Sequence, residues 1–295
     1  MFSRSITALA LSLVPALVAA QKESVTEVAT SIANTTLQMQ AVGLIPDPVP
    51  TSALNLTAAL GLRFGEGSRD IATGQTVSVD QAKGTPQYSI EYPESVADEL
   101  DGATFTVLFL DAGAAGVGNP ALLDGLLTRH FLGNNFKLGD DGRLTNSTPA
   151  ITEYASPAPA AGSGPHRYFQ VVALQPSNFQ APQNLSQPGT ALSTMSLASY
   201  ISESNLGKIV AASFVLIEDN SAEVTASVSS TAAVQSASVQ ALATSVSKSL
   251  ASPSGAPSAS GTGTSGNGAA YVAPTKALVA SAAAVAAVAF GAALI

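Results

Sequence analysis

Two histidines and one aspartate carry most of the chemistry this chain can offer. His130 stands in Thr128-Arg129-His130-Phe131-Leu132 and His166 in Gly164-Pro165-His166-Arg167-Tyr168, the only two histidines in 295 residues. Imidazole changes charge near neutral pH and can donate or accept hydrogen bonds, ligate a metal or act as a base. Asp111 ends the apolar run from Thr104 to Leu110 and opens into Ala112-Gly113-Ala114-Ala115-Gly116-Val117-Gly118. Two imidazoles and a carboxylate are also the donor set of a two-His, one-carboxylate metal site. No H-E-x-x-H or comparable spacing is present, so no metal and no cofactor is expected.

Other chemistries find less support. The glycines after Asp111 fit neither the dinucleotide fingerprint nor a phosphate loop with its Lys-Ser/Thr, and a loop that needs positive φ accounts for them. Serine is abundant, yet there is no G-x-S-x-G elbow, so a Ser-His-Asp triad has no visible nucleophile. The chain has no cysteine, which excludes a thiol nucleophile, a thiolate metal site and a disulfide framework.

The elements that must position these residues occupy only part of the chain. Charged residues make up 11% of the sequence, and between Lys22 and Glu223 lie nine bases and all twenty acids, nine minus twenty giving a net charge of −11. Such an acidic surface cannot neutralise a row of phosphates, so nucleic acid is not an expected partner. Either side of this segment, charge nearly vanishes.

The ends have the composition of targeting signals. Arg4, the apolar run Ile6–Leu17 and the small residues Val18-Ala19-Ala20 describe a secretory signal peptide over 1–20, cleaved after Ala20. Ala277–Ile295 is an uncharged tail behind a short polar spacer and the small residues Ser265-Gly266-Asn267-Gly268-Ala269. That order reads as a GPI-attachment signal, with Asn267 as attachment residue and 268–295 removed; the alternative is a transmembrane tail. Between them, 221–267 is a Ser/Ala/Thr/Gly-rich stalk, locally helical over Ala222–Leu250 and low in complexity from Ser249. The expected product is a secreted glycoprotein, GPI-anchored at the plasma membrane or cell wall, with N-glycosylation sequons at Asn34, Asn55, Asn146 and Asn184.

The folded segment, 21–220, reads as mainly β. Apolar residues at Val25, Val28, Ile32, Leu37 and Met39 predict an N-terminal helix that stops at Gly43. Alternating or apolar runs predict strands at Leu54–Thr57, Leu60–Phe64, Thr76–Asp80, Tyr88–Tyr92, Thr104–Leu110, Tyr168–Leu174 and Ile209–Ile217. A short helix from Ser196, closed near Asn205-Leu206-Gly207, precedes the last of them.

The segment Tyr154-Ala155-Ser156-Pro157-Ala158-Pro159-Ala160-Ala161-Gly162-Ser163-Gly164-Pro165-His166-Arg167-Tyr168 resembles the Pro/Gly loop and G-x-H-R-Y signature of the phosphatidylethanolamine-binding protein family. Gly43-Leu44-Ile45-Pro46-Asp47, Thr85-Pro86, Phe105–Asp111, Arg129-His130-Phe131 and Gln175-Pro176 resemble further family segments in family order, so the likeness runs from about Gln38 to Ile217. It implies an antiparallel β-sandwich with an N-terminal helix and a short C-terminal helix. It also implies a non-enzymatic site for a phospholipid headgroup or small anion, lined by Asp111, His130 and His166.

In that likeness Pro157 and Pro159 stiffen the loop, Gly162 and Gly164 supply its turns, and Tyr168 lies beside the site. Arg167 contacts either the ligand or an acid. The chain departs from the family at Ala112, Gly113 and Ala115, which replace the Pro, Asp and Pro of its D-P-D-x-P loop, and at Arg129. Family members also include inhibitors, so a secreted or vacuolar hydrolase such as a serine carboxypeptidase is a second expected partner. The third alternative is a structural surface glycoprotein with a degenerate site.

Overall fold

The computed structural model describes residues 23–114, 126–221, 223 and 234–252. The first helix, α1 (Val25–Ala41), is capped by Ser24. Ser24 Oγ accepts the Glu27 N–H at 3.2 Å, and the Glu27 carboxylate accepts from the Ser24 N–H at 3.3 Å, a reciprocal pair that satisfies two orphan donors of the first turn. Val28, Ile32 and Met39 turn inward. Gly43, at φ 67°, then ends the helix in the left-handed conformation that glycine adopts without strain.

Among the described residues, nine strands and three shorter α-helices follow: β1 (Ala59–Phe64), β2 (Thr76–Ser78), β3 (Pro86–Glu91), α2 (Ala97–Leu100), β4 (Phe105–Ala114), β5 (Leu127–Leu138), β6 (Leu144–Thr145), β7 (His166–Leu174), β8 (Ser193–Met195), α3 (Leu197–Ser204) and β9 (Ile209–Glu218), with α4 (Ser236–Ala251) after them. The main sheet runs β2-β9-β7-β4-β5-β6, with β8 joined to β5. β1 and β3 form a separate antiparallel pair.

β4, β7 and β9 occupy the interior of the main sheet and are buried along most of their length. That explains why they read as unbroken apolar runs rather than alternating ones. One face places Val107, Phe109 and Val215 against Leu62, Phe64, Tyr88 and Ile90 of the β1–β3 pair. The other places Leu108, Leu110 and Phe214 against Met39, Val42, Leu44, Leu197 and Tyr200. Each large side chain so buried contributes about 1.5–3 kcal/mol relative to exposure.

Three expectations change. The sheet is mixed, because β2 runs parallel to β9 while the remaining pairs are antiparallel. Leu54–Thr57 is not a strand: Leu54 makes a single bridge to Ile209, and the Thr57 and Ala58 N–H groups both donate to the Val210 carbonyl. A register shift between Val172 and Ala173 sets Val210 out of the β7–β9 ladder, and a regular strand cannot continue alongside it. Finally, α4 lies within the segment expected to be a stalk, yet Leu250 and Val246 pack with Val25, Val28, Ala29 and Ile32 of α1. Those sixteen residues belong to the same compact unit as the sheet.

Candidate functional site

Asp111 lies near the end of β4, opposite Tyr168 of β7. Beyond it the β4–β7 register shifts, and the next paired residues are Ala114 and His166. The irregularity turns the strand so that the Gly113 N–H reaches Asp111 Oδ1 at 2.6 Å, with Gly113 itself at φ 76°. Asp111 is 8% exposed. A carboxylate this buried requires hydrogen-bond partners; its second oxygen, Oδ2, accepts from His166 Nδ1 at 3.0 Å.

His130 owes its position to another irregularity. In the β4–β5 ladder Phe109 faces Phe131 and Leu110 faces Arg129, so His130 is the extra residue of a bulge. A bulge breaks the alternation of side chains and re-aims one of them. Phe131 packs in the core beneath β1 and β3, and the His130 ring stays on that same side, edge-on to Phe109 at 6.1 Å and to Tyr168 at 5.2 Å between centroids. Its Nδ1–H donates to the Ala155 carbonyl at 2.8 Å. Burial holds the imidazole below its ordinary pKa; the Ala155 carbonyl and Asp111 oppose that shift and His166 adds to it. His130 is therefore a neutral ring near pH 7, with Nε2 as the atom left for a ligand.

His166 opens β7, stacked on Tyr168 at 6.2 Å. Tyr168 thus has one imidazole stacked with it and one in a T-shaped contact. Burial first, then the Asp111 carboxylate, push its phenol well above the usual range, so it stays neutral. The loop before His166 turns at Gly162 and Gly164, with φ of 76° and 79°, and Pro157, Pro159 and both glycines are buried. Between those glycines Ser163 brings its Oγ to 3.0 Å from His166 Nε2.

Arg167 is engaged by backbone carbonyls. Its guanidinium donates to the carbonyls of Val42 at 2.8 Å, Gly43 at 3.2 Å and Gly113 at 3.4 Å, and to that of Ala112. The first two end α1, where unpaired carbonyls and the helix dipole favour a cation. Arg167 therefore ties the end of α1 to the end of β4 and fixes the site's base. Arg129, in contrast, projects to the opposite side of the sheet, donating to Thr152 Oγ1 at 2.7 Å and the Ala191 carbonyl at 3.0 Å.

Asp111, His130 and His166 are thus brought together around Tyr168 from three neighbouring strands. Among solved structures the chain is similar to carboxypeptidase Y inhibitor complexed with its cognate proteinase, with a TM-score of 0.50 and 20% identity over 63% of this chain and 96% of that one. The fold is that of the carboxypeptidase Y inhibitor.

Phosphatidylethanolamine-binding proteins from Plasmodium falciparum and Plasmodium vivax are also neighbours, with TM-scores of 0.44 and 0.43. The first is 18% identical over 62% of this chain and 97% of that one, the second 15% identical over 63% and 98%. These structural neighbours are members of the phosphatidylethanolamine-binding protein family. No family model and no curated sequence matches the chain.

Ser163, the Gly113 N–H and the Ala155 carbonyl were invisible as parts of the site. The sole cue for Ser163 is its place three residues before a histidine. Among the sequons, Asn55 and Asn184 are exposed and Asn34 is half-buried in α1. Asn146 is engaged, its Nδ2 donating to the Asn134 carbonyl at 2.6 Å. Ala115, the signal-peptide segment 1–20 and Asn267 lie outside the described residues.

Proposed function

We propose that this chain is a non-enzymatic binding protein of the cell surface whose Asp111, His130 and His166 take a small phosphate-type anion or a phospholipid headgroup. The convergence of these three residues around Tyr168, each imidazole held by its Nδ1, carries the reading. His130 Nε2 accepts from a protonated phosphate oxygen, or donates once protonated, while Asp111 keeps His166 oriented. The signal-peptide and GPI patterns in the sequence, with attachment at Asn267, support a location outside the cell, glycosylated and tethered to the membrane.

The test is calorimetric titration with inorganic phosphate, O-phosphoethanolamine and phosphatidylethanolamine vesicles. Saturable binding weakened at least tenfold in His166→Ala and His130→Ala supports the reading, and the strongest ligand separates a free anion from a headgroup. Wild-type protein that binds none of the three contradicts it.

A second reading is supported by the likeness to carboxypeptidase Y inhibitor, whose structure was solved on its proteinase. On that reading the partner is a secreted or vacuolar serine carboxypeptidase. Inhibition of such an enzyme by the purified chain would favour it, and undiminished peptidase activity at saturating protein would remove it.

A further inference from the structure

Ser163, His166 and Asp111 stand in the order of a nucleophile, a base and the acid that orients it. Ser163 Oγ lies 3.0 Å from His166 Nε2, and His166 Nδ1 lies 3.0 Å from Asp111 Oδ2. An ionised carboxylate only accepts, so the neutral imidazole carries its proton on Nδ1 and turns the lone pair of Nε2 toward the serine. A base oriented by a third group and within reach of a hydroxyl is the arrangement that activates a serine. Here it comes without the elbow motif that would announce it in sequence.

The surroundings suit the role. The side chains of Asp111 and His166 are 11% and 19% exposed, where their pairing is stronger than in water. Ser163 is half-exposed, between two buried glycines with positive φ that place no Cβ beside Oγ. The Ser163 hydroxyl has a second acceptor, the Ala160 carbonyl at 2.6 Å. The hydroxyl has a single proton, so donation to Nε2 requires release of the Ala160 carbonyl.

We propose that Ser163 is an acyl-accepting nucleophile toward carboxylic esters, with His166 as its base and Asp111 as the positioning residue. This goes beyond the binding function, with which it shares Asp111 and His166. The Oγ–H proton passes to Nε2 as Oγ bonds to the ester carbonyl carbon. The carbon–oxygen bond to the alcohol portion then breaks, its electron pair leaving with that oxygen, which takes the proton from Nε2 if it is basic enough to need it.

The experiment incubates the full chain with p-nitrophenyl acetate and locates the acetyl group by peptide mass spectrometry. Acetylation of Ser163 is the expected result. General-base assistance contributes about a hundredfold or more, so His166→Asn should slow labelling by that factor. Ser163→Cys, which supplies its own nucleophile, should restore an acyl adduct where Ser163→Ala gives none. Labelling confined to lysines, or Ser163 labelling unchanged in His166→Asn, overturns the proposal. Circular dichroism and urea denaturation of the same samples report whether each variant is folded, and phosphate titration of Ser163→Ala, which keeps Asp111, His130 and His166, reports separately on the binding site.

Discussion

Asp111 holds His166 through Oδ2 at 3.0 Å while its Oδ1 takes the Gly113 N–H at 2.6 Å. One buried carboxylate therefore sets both an imidazole and the backbone of the loop that leaves β4. Asp111→Asn removes one of two acceptor oxygens and sets an N–H₂ group against an N–H. The expected cost is about 1–3 kcal/mol in urea denaturation, the penalty for a buried donor left without an acceptor, accompanied by weaker phosphate binding.

His130 makes stability depend on pH. Its folded pKa is depressed by burial, whereas the unfolded ring titrates near about 6.5. Between those values the unfolded chain binds more protons, so stability falls as pH drops through about 6.5 toward the folded pKa, and the loss stops below it. His130→Phe should flatten that part of the profile, as followed by urea midpoints between neutral pH and mild acid. An anion that charges His130 should bind with proton uptake, detected as a buffer-dependent heat.

Arg167 is predicted to be structural. Arg167→Lys loses the planar fork that reaches carbonyls on both α1 and β4, at an expected cost of about 2–3 kcal/mol. Hydrogen exchange should quicken at Val42–Leu44. A variant that lost ligand affinity with unchanged stability would instead make Arg167 a ligand contact.

Much of this was legible where burial and local chemistry agree. The apolar runs at Phe105–Leu110, Tyr168–Leu174 and Ile209–Ile217 became β4, β7 and β9 because strands buried on both faces need no alternation. The stop at Gly43 bounded α1, and Asn205, left-handed at φ 54°, closes α3 where the short helix was expected to end.

The positions of single side chains were not legible. The bulge that brings His130 beside Phe131 depends on how β5 pairs with β4, and the approach of Ser163 to His166 depends on two glycine torsions. Nor could composition alone show that α4, rich in Ser and Ala, keeps Val246 and Leu250 for one face of α1.

That last contact gives a further prediction. Leu250 is 3% exposed in a small cluster with Val28, Ala29 and Ile32. Leu250→Ala should cost about 2 kcal/mol, the lower end for a buried leucine, because the cluster is small. Amide exchange in α1 should rise at Val28 and Ile32. Unchanged exchange in α1 would mean that α4 contributes nothing to the folded unit.

The central claim, that Asp111, His130 and His166 form one ligand site, is tested most directly by side-chain NMR. The protein has only two histidines, so their ring signals can be followed during titration with phosphate and O-phosphoethanolamine. Both rings should shift along one saturation curve with a common dissociation constant, and both responses should weaken together in Asp111→Asn. Signals that stay still, or that move with different constants, would contradict a single site.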